Sequence, residues 1–376
     1  VKIREVRAFA LSRRAEGPLV TLGTGTTIKT DVVVVRVRTE DGVVGYGEAH
    51  HALAPTVIAD LVEHHLGPLA VGEDVLEVEH IWDKLYFSQG RTHSTGWGVW
   101  IAMSGINTAI WDARGKALGV PVYQLLGGKK KPIRAYFGGI SLGYQAPESL
   151  AGEALAVVAR GYRALKLRLG DTPRKDVARV RAVRRAVGDE VDVMVDINTK
   201  YSYQQMLQLL PELEACGVYW IEEPFPPDAL RDYALLAQRT RIPIAAGENH
   251  FLRYQARQFL ETEAVQIVQV DVAKCGGISE HKKIADLAAA FRRAFAPHTS
   301  VSAISHAATL HVATACSNTL IYEAGPTNVF KNELMRGGPE VGADGNVEAS
   351  DAPGLGVEVD ESQFDRYPVI PGPCYV

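Results

Sequence analysis

Cysteine is scarce in this chain. Cys216, Cys275, Cys316 and Cys374 are the only four in 376 residues, and no two of them form a C-x-x-C pair. That argues against a disulfide framework or a thiolate zinc site and suits thiols kept reduced in a cytoplasm. Long apolar runs are missing too: no stretch approaches the roughly 20 residues that cross a bilayer. The opening Val1-Lys-Ile-Arg-Glu-Val-Arg-Ala-Phe9 alternates like a strand and lacks the apolar centre of a signal peptide. A cytoplasmic protein with no membrane partner is expected. Nor is charge of one sign concentrated. Net charge is -4, and the short basic run Lys129-Lys130-Lys131 beside Gly127-Gly128 reads as a solvated turn, not a nucleic-acid footprint.

What remains is an ordinary globular composition, 47% hydrophobic with a mean hydropathy of -0.03. A length of 376 residues suits one large barrel plus a smaller domain. Residues 1–126 read as α+β. Val1–Phe9, Asp31–Thr39 and Val43–Glu48 alternate as strands, with a turn at Glu40-Asp41-Gly42, and helical patterns cover Ala54–Leu66, Val78–Leu85 and Ile101–Leu118. Leu19–Thr30 is rich in Gly and Thr and reads as a mobile loop.

From 127 to 345 short apolar strands alternate with helical stretches. Eight strand candidates stand out: Ile133–Phe137, Ala164–Arg168, Val191–Val195, Val218–Ile221, Ile242–Ala246, Ala264–Val270, Arg293–Ala296 and Thr319–Tyr322. That pattern predicts a (β/α)8 barrel. Residues 346–376 are punctuated by Gly and Pro, carry a strand-like Val357-Glu-Val, and are expected to return and complete the first domain.

Barrel active sites lie at the carboxyl ends of the strands. Here strands two to eight exit through ionisable residues: Lys166 and Arg168, then Asp196, Glu222, Glu248, Asp271, His298 and Glu323. Asp196, Glu222 and Glu248 recur at near-identical intervals of about one βα unit. One such carboxylate could be a helix cap; three in consecutive units read as an all-oxygen cage for Mg²⁺, with Mn²⁺ the alternative. Glu223 should point away from Glu222 on a strand and serve as a salt-bridge partner. Asp271 beside His298 would fix the imidazole tautomer and make a general base. Lys166 and Arg168 should both face the mouth. Arg168 is a poor base, since deprotonating it near pH 7 costs roughly 7 kcal/mol. Glu323 could donate to a substrate oxygen if burial kept it protonated.

These motifs resemble the enolase superfamily, and within it the mandelate racemase subgroup. Ser104-Gly-Ile-Asn-Thr-Ala-Ile-Trp-Asp-Ala-Arg-Gly-Lys116 and Pro121-Val-Tyr-Gln-Leu-Leu-Gly-Gly128 resemble its junction between capping domain and barrel. Val195-Asp-Ile-Asn198, Trp220-Ile-Glu-Glu-Pro224, Gly247-Glu-Asn249 and Asp271-Val-Ala-Lys-Cys-Gly-Gly277 resemble its barrel signatures, and Pro353-Gly-Leu-Gly356 its tail. The resemblance implies Mg²⁺ on Asp196, Glu222 and Glu248, His298 with Asp271 as acid/base, and Glu323 and Lys166 stabilising an enolate made from a small-molecule carboxylate. A homo-oligomer is expected.

One departure bears on the chemistry. Racemases of the subgroup carry Lys-x-Lys on the second strand, the second lysine being a base; here that position is Arg168. This favours a one-histidine β-elimination from a sugar acid. Racemase, epimerase or cycloisomerase chemistry, with Arg168 as a second base, stays open, as does a non-catalytic barrel. Specificity in the family comes from capping-domain loops, here Leu19–Thr30 and His50-His51-Ala52. With Lys200 these are polar and suit a polyhydroxylated acid. Arg91–Trp97 is a further candidate for the site.

Overall fold

The computed structural model describes residues 1–15, 19–23, 25–91, 96–138, 142–325, 330 and 333–376. Its larger part is a parallel barrel of eight strands: Ile133–Phe137, Ala164–Arg168, Asp192–Asp196, Ile221–Glu222, Ile244–Ala246, Ile267–Val268, Ala294–Phe295 and Tyr322–Ala324. Strands one to seven pair successively in sequence order, and strand eight pairs with strand one through Tyr322 opposite Ala135. The ring closes between strands seven and eight, where the Phe295 amide donates to Asn318 O at 2.9 Å and Leu320 N to Phe295 O at 2.8 Å. All eight expected strands are present, several shortened. Strand four starts only at Ile221 because the Val218 amide is spent closing the preceding helix onto Leu213 O (3.1 Å), though Tyr219 N still reaches Val193 O at 2.8 Å.

The amino-terminal part is a three-stranded antiparallel sheet of Ile3–Arg14, Lys29–Thr39 and Val44–Ala49. On it lies the helix Trp97–Leu118, buried along nearly its whole length. The helix can be apolar on every side because it is a filling layer, with the sheet beneath and the barrel helix Ile278–Ala290 above. Asn107 and Trp111 reach across to the Ser279 hydroxyl at 3.1 and 3.0 Å. Glycine permits the close approach: a Cβ on Gly47 would sit 2.0 Å from Gly105 O. The helices Pro55–Asp60 and Val78–Leu85 complete this layer.

Residues at the end of the chain return to the capping sheet. Phe364 packs on Phe9 with ring centroids 4.9 Å apart, Glu361 accepts from Tyr46 at 2.7 Å, and the Ser12 amide donates to Tyr367 O at 3.1 Å. Leu19–Thr30, expected as a loop, holds a small ladder of Thr21–Leu22 with Gly25–Thr26 before the sheet strand begins at Lys29; residue 24 lies outside the described residues. Of the candidate segment Arg91–Trp97, residues 92–95 also lie outside them. No helix among the described residues is long and apolar enough to cross a membrane.

Candidate metal and acid–base site

Alternation along the strands sets the floor of the site. One residue on or next to each strand, Tyr136, Ala164, Met194, Trp220, Ala245, Ile267, Ala296 and Ile321, plugs the barrel axis as a cluster separate from the outer core. Two positions further along, each strand points inward again, one layer nearer the mouth. That layer holds Lys166, Asp196, Glu222, Gln269, His298 and Glu323. Strand five breaks the rule, since alternation would put Gly247 inward and Glu248 outward. Gly247 has φ +148°, and a Cβ there would sit 2.7 Å from the Val270 nitrogen. This kink, open to glycine, turns Glu248 back into the mouth.

Asp196, Glu222 and Glu248 each bring a carboxylate oxygen within 4.8 Å of the others. Around an ion with metal–oxygen distances of about 2.1 Å, facing ligands stand about 4.2 Å apart, so the trio fits one divalent cation with little movement. Purely oxygen donors suit magnesium or manganese over zinc. The surrounding charge calls for a cation. Glu223, Asp271 and Glu323 crowd the same mouth, while the permanent cations there are Lys166, Arg168 and Lys274. Buried carboxylates without counter-charge cost on the order of several kcal/mol each, an excess that a divalent ion relieves.

The side chains around the trio are tightly held. Lys166, fully buried, has Nζ 2.6 Å from Glu222, 3.0 Å from Glu323 and 3.5 Å from Asp196. It sits beneath the cage and does not reach the cavity wall. Burial would lower its pKa, but Glu222, Glu323 and Asp196 outweigh that and raise it. Arg168 pairs with Asp196 and donates from Nη2 to Gly138 O at 2.8 Å. Its pKa is raised as well, the carboxylates overcoming burial, so it stays a cation. Glu222 Oε2 accepts from Trp220 Nε1 (3.1 Å) and Gln269 Nε2 (2.9 Å), and burial pushes its carboxyl up to about 7. For Glu248, burial is overcome by His298 and Lys274, which pull it down to about 2.

One expectation is corrected, and one condition is not met. Glu223 was expected to turn away as a salt-bridge partner. Its φ is +38°, which bends the chain at the end of strand four and leaves the side chain on the cavity wall. There it accepts from Asn249 Nδ2 at 2.8 Å, and its Oε1 is buried without a partner among the described residues. Glu323 was to donate to a substrate oxygen only if burial kept it protonated. Lys166, His298 and Arg168 overcome burial and lower its pKa, so it is held as a carboxylate, with Oε2 accepting from the Thr299 amide at 3.1 Å.

His298 Nδ1 donates to Asp271 Oδ2 at 2.7 Å, while Nε2 stands 3.0 Å from Glu248 and 3.9 Å from Glu323. Burial opposes protonation of the ring, but Glu248, Glu323 and Asp271 push its pKa up to about 9. Asp271 is itself fixed: Oδ2 also accepts from Ser300 Oγ at 2.7 Å and Oδ1 from the Ala273 amide at 2.7 Å. The loop after strand seven is anchored from the other domain. Glu48, on the third strand of the capping sheet, accepts from the amides of Val301 (3.2 Å) and Ser302 (3.0 Å) and from the Ser302 hydroxyl.

Over this floor lies a cavity of about 660 Å³. His50, His51 and Ala52 line it, as anticipated, whereas Lys200 packs beside Gly23 and Gly170 and is not on the wall. Trp97, Ile101 and Phe251 supply an apolar side. Sequence reasoning missed Gln269, Lys274, Glu48 and Tyr375. Strand parity counted from Ile267 would have found Gln269. Asp271-x-x-Lys274 has one-turn spacing, and the Lys274 amide does close onto Asp271 O at 3.1 Å. Glu48 and Tyr375 carry no local signal.

Residues 149–363 match the enolase C-terminal domain-like family, and residues 3–127 match the mandelate racemase / muconate lactonizing enzyme N-terminal domain. The chain belongs to the mandelate racemase / muconate lactonizing enzyme family. It is 33% identical over 365 residues to arabinonate dehydratase from Saccharolobus solfataricus, covering 96% of this chain and 94% of that one. Its fold matches the crystal structure of an enolase superfamily member from Polaromonas sp. JS666 with a TM-score of 0.96 and 46% identity, over 100% of both chains. It also matches a racemase from Streptomyces coelicolor A3(2) with bound magnesium, with a TM-score of 0.88 and 27% identity, over 98% of this chain and 100% of that one.

Proposed function

We propose that this chain is a Mg²⁺-dependent dehydratase of sugar acids. Asp196, Glu222 and Glu248 are its metal ligands, and His298 with Asp271 is its acid/base. The capping domain is 1–126 completed by 346–376, and 127–345 is the catalytic barrel. When bound, the divalent ion supplies Lewis-acid stabilisation of the negative charge that builds on the substrate carboxylate. The protein's residues do the rest. His298 Nε2 takes the proton from the carbon α to the carboxylate, while the Nδ1–H bond to Asp271 holds the ring in the tautomer that can accept it. Lys166 and Arg168 add fixed positive charge near the developing enolate, pre-positioned by their ion pairs. The imidazolium then gives its proton to the β-hydroxyl, which leaves as water. The remaining enol ketonises to a 2-keto-3-deoxy acid.

The observation that carries elimination over racemisation is the state of Arg168. Its guanidinium is bonded to Asp196 and to Gly138 O, and the carboxylates around it keep it charged. A locked cation of this kind is no second base for the opposite face of the substrate. The relationship to arabinonate dehydratase supports the same reading. A panel of aldonic and aldaric acids assayed with Mg²⁺ for 2-keto acid formation tests it. Turnover of at least one is expected. Exchange of the α-proton in D₂O without keto acid would instead indicate an isomerase, and neither activity on any acid would refute the catalytic reading.

A further inference from the structure

Two cavity-lining residues, Cys374 and Tyr375, come from positions 374–376. Tyr375 shares the wall with Thr27, Lys29 and Thr30 of the capping domain and with Arg168, Glu248 and His298 of the barrel. A backbone ladder places it there: Thr26 N donates to Val376 O at 2.8 Å, Val376 N to Thr26 O at 3.0 Å, and Ile28 N to Cys374 O at 2.9 Å. The fit against the loop is close. Gly25 has φ +125°, and a Cβ there would lie 3.1 Å from Val376 O and 3.2 Å from Tyr375 Cβ.

Below the ladder the tail is pinned. Cys374 Sγ donates to Asp31 Oδ2 at 3.2 Å, and Asp31 also receives Ser12 Oγ at 2.6 Å and Lys29 Nζ at 2.9 Å. Lys29 in turn donates to Ile370 O at 2.5 Å. Asp31, His51 and Cys374 bring their ligand atoms within 4.8 Å of one another, the spacing of a metal site. The Lys29 ammonium already balances Asp31, however, and His51 Nδ1 already accepts the Leu53 amide at 3.1 Å. The cluster is an anchor for the tail, not a second cation site.

The Tyr375 hydroxyl has no hydrogen-bond partner among the described residues. A phenol on a residue of the cavity wall is there an unused donor and acceptor. Burial, Cys374 and Glu248 raise its pKa, which keeps the phenol neutral.

We propose that the Cys374–Val376 strand is a fastened part of the substrate site and that the Tyr375 hydroxyl binds a substrate hydroxyl beyond C3, making Tyr375 a specificity-determining residue. This role presupposes the sugar-acid reaction proposed above. The test compares two acids with Mg²⁺ present. Glycerate carries the α-proton and the β-hydroxyl but nothing further; arabinonate carries additional hydroxyls. Tyr375→Phe should raise KM for arabinonate, or for the five- or six-carbon acid that the wild type prefers, at least tenfold. KM for glycerate and the Kd for Mg²⁺ should change less than twofold. Deletion of residues 374–376 should show the same selectivity. Equal changes for both acids, or no change, would overturn the proposal. Failure of the wild type to turn over any acid would remove the reaction but not the test. Calorimetric titration of the Mg²⁺-loaded proteins with the same two acids then decides: a loss selective for arabinonate supports Tyr375, and equal or absent binding overturns it.

Discussion

Replacing His298 by asparagine tests the proposed chemistry most directly. The imidazole is asked to act twice, first removing the α-proton and then protonating the leaving hydroxyl. A positioned acid/base group contributes roughly 10²- to 10⁴-fold to a step. Loss of both roles should therefore place the variant near the upper end, about 10⁴-fold down in kcat, or about 5 kcal/mol of barrier. The substitution suits the site structurally. An asparagine amide can still donate to Asp271 in place of Nδ1, and Asp271 keeps its bonds from Ser300 Oγ and the Ala273 amide, at 2.7 Å each. Folding should be nearly unaffected, with a Tm within a few degrees of wild type. Nε2 stands 3.0 Å from Glu248, so the Kd for Mg²⁺ should shift only modestly. The assay pairs 2-keto acid formation with α-proton exchange in D₂O followed by NMR. Turnover above a tenth of wild type would refute the mechanism. So would a variant that no longer dehydrates but still exchanges the α-proton, because another residue would then be the base.

Glu222→Gln keeps the shape of a proposed ligand but removes its charge and should weaken Mg²⁺ binding at least tenfold by calorimetry; unchanged affinity would reassign the cage. Gly247→Ala puts a Cβ 2.7 Å from the Val270 nitrogen at φ +148°, so urea unfolding should show a loss of roughly 2–4 kcal/mol together with weaker Mg²⁺ binding. Burial pushes the Glu48 carboxyl up to about 7, above an unfolded value near 4.5, with Ser302 opposing. A raised carboxyl contributes stability that is whole below about pH 4.5 and declines as the pH climbs through 7, by at most about 3 kcal/mol. Glu48→Gln should flatten that decline, so the difference in unfolding free energy from wild type should move in the variant's favour between pH 5 and 8. Parallel curves across that range would contradict the assignment.

The architecture was legible because the barrel repeats one simple unit. Each strand is an apolar run short enough to distinguish from a helix, and eight of them in order leave few alternatives to a closed parallel ring. The grouping of Asp196, Glu222 and Glu248 was legible for the same reason: equal spacing along such a repeat means equal height in the barrel. Strand ends were less legible. Ala264–Val270 contracts to Ile267–Val268, although Gln266 N still donates to Ile244 O and Gln269 N to Ala246 O at 2.9 Å each, and Val218–Ile221 moves to Ile221–Glu222.

Local backbone geometry limits what can be read beyond that. Alternation correctly placed Glu222 but misdirected Glu223, because the chain enters a positive φ at that residue. Applied to strand five, the same alternation would have turned Glu248 out of the cage; only the glycine before it hints otherwise. Long-range contacts are less legible still. Glu48 lies some 250 positions from the loop it holds, and Tyr375 nearly 350 from Thr27, so no window of sequence contains either pair. The residues proposed here to act on the α-proton come from one repeated element and share its period. Those that fix the loop after strand seven or finish the cavity come from the capping domain and the tail, which repeat nothing. Chemistry of this kind can be inferred from a barrel sequence alone, whereas the choice of substrate depends on contacts that become visible only when the two ends of the chain are brought together.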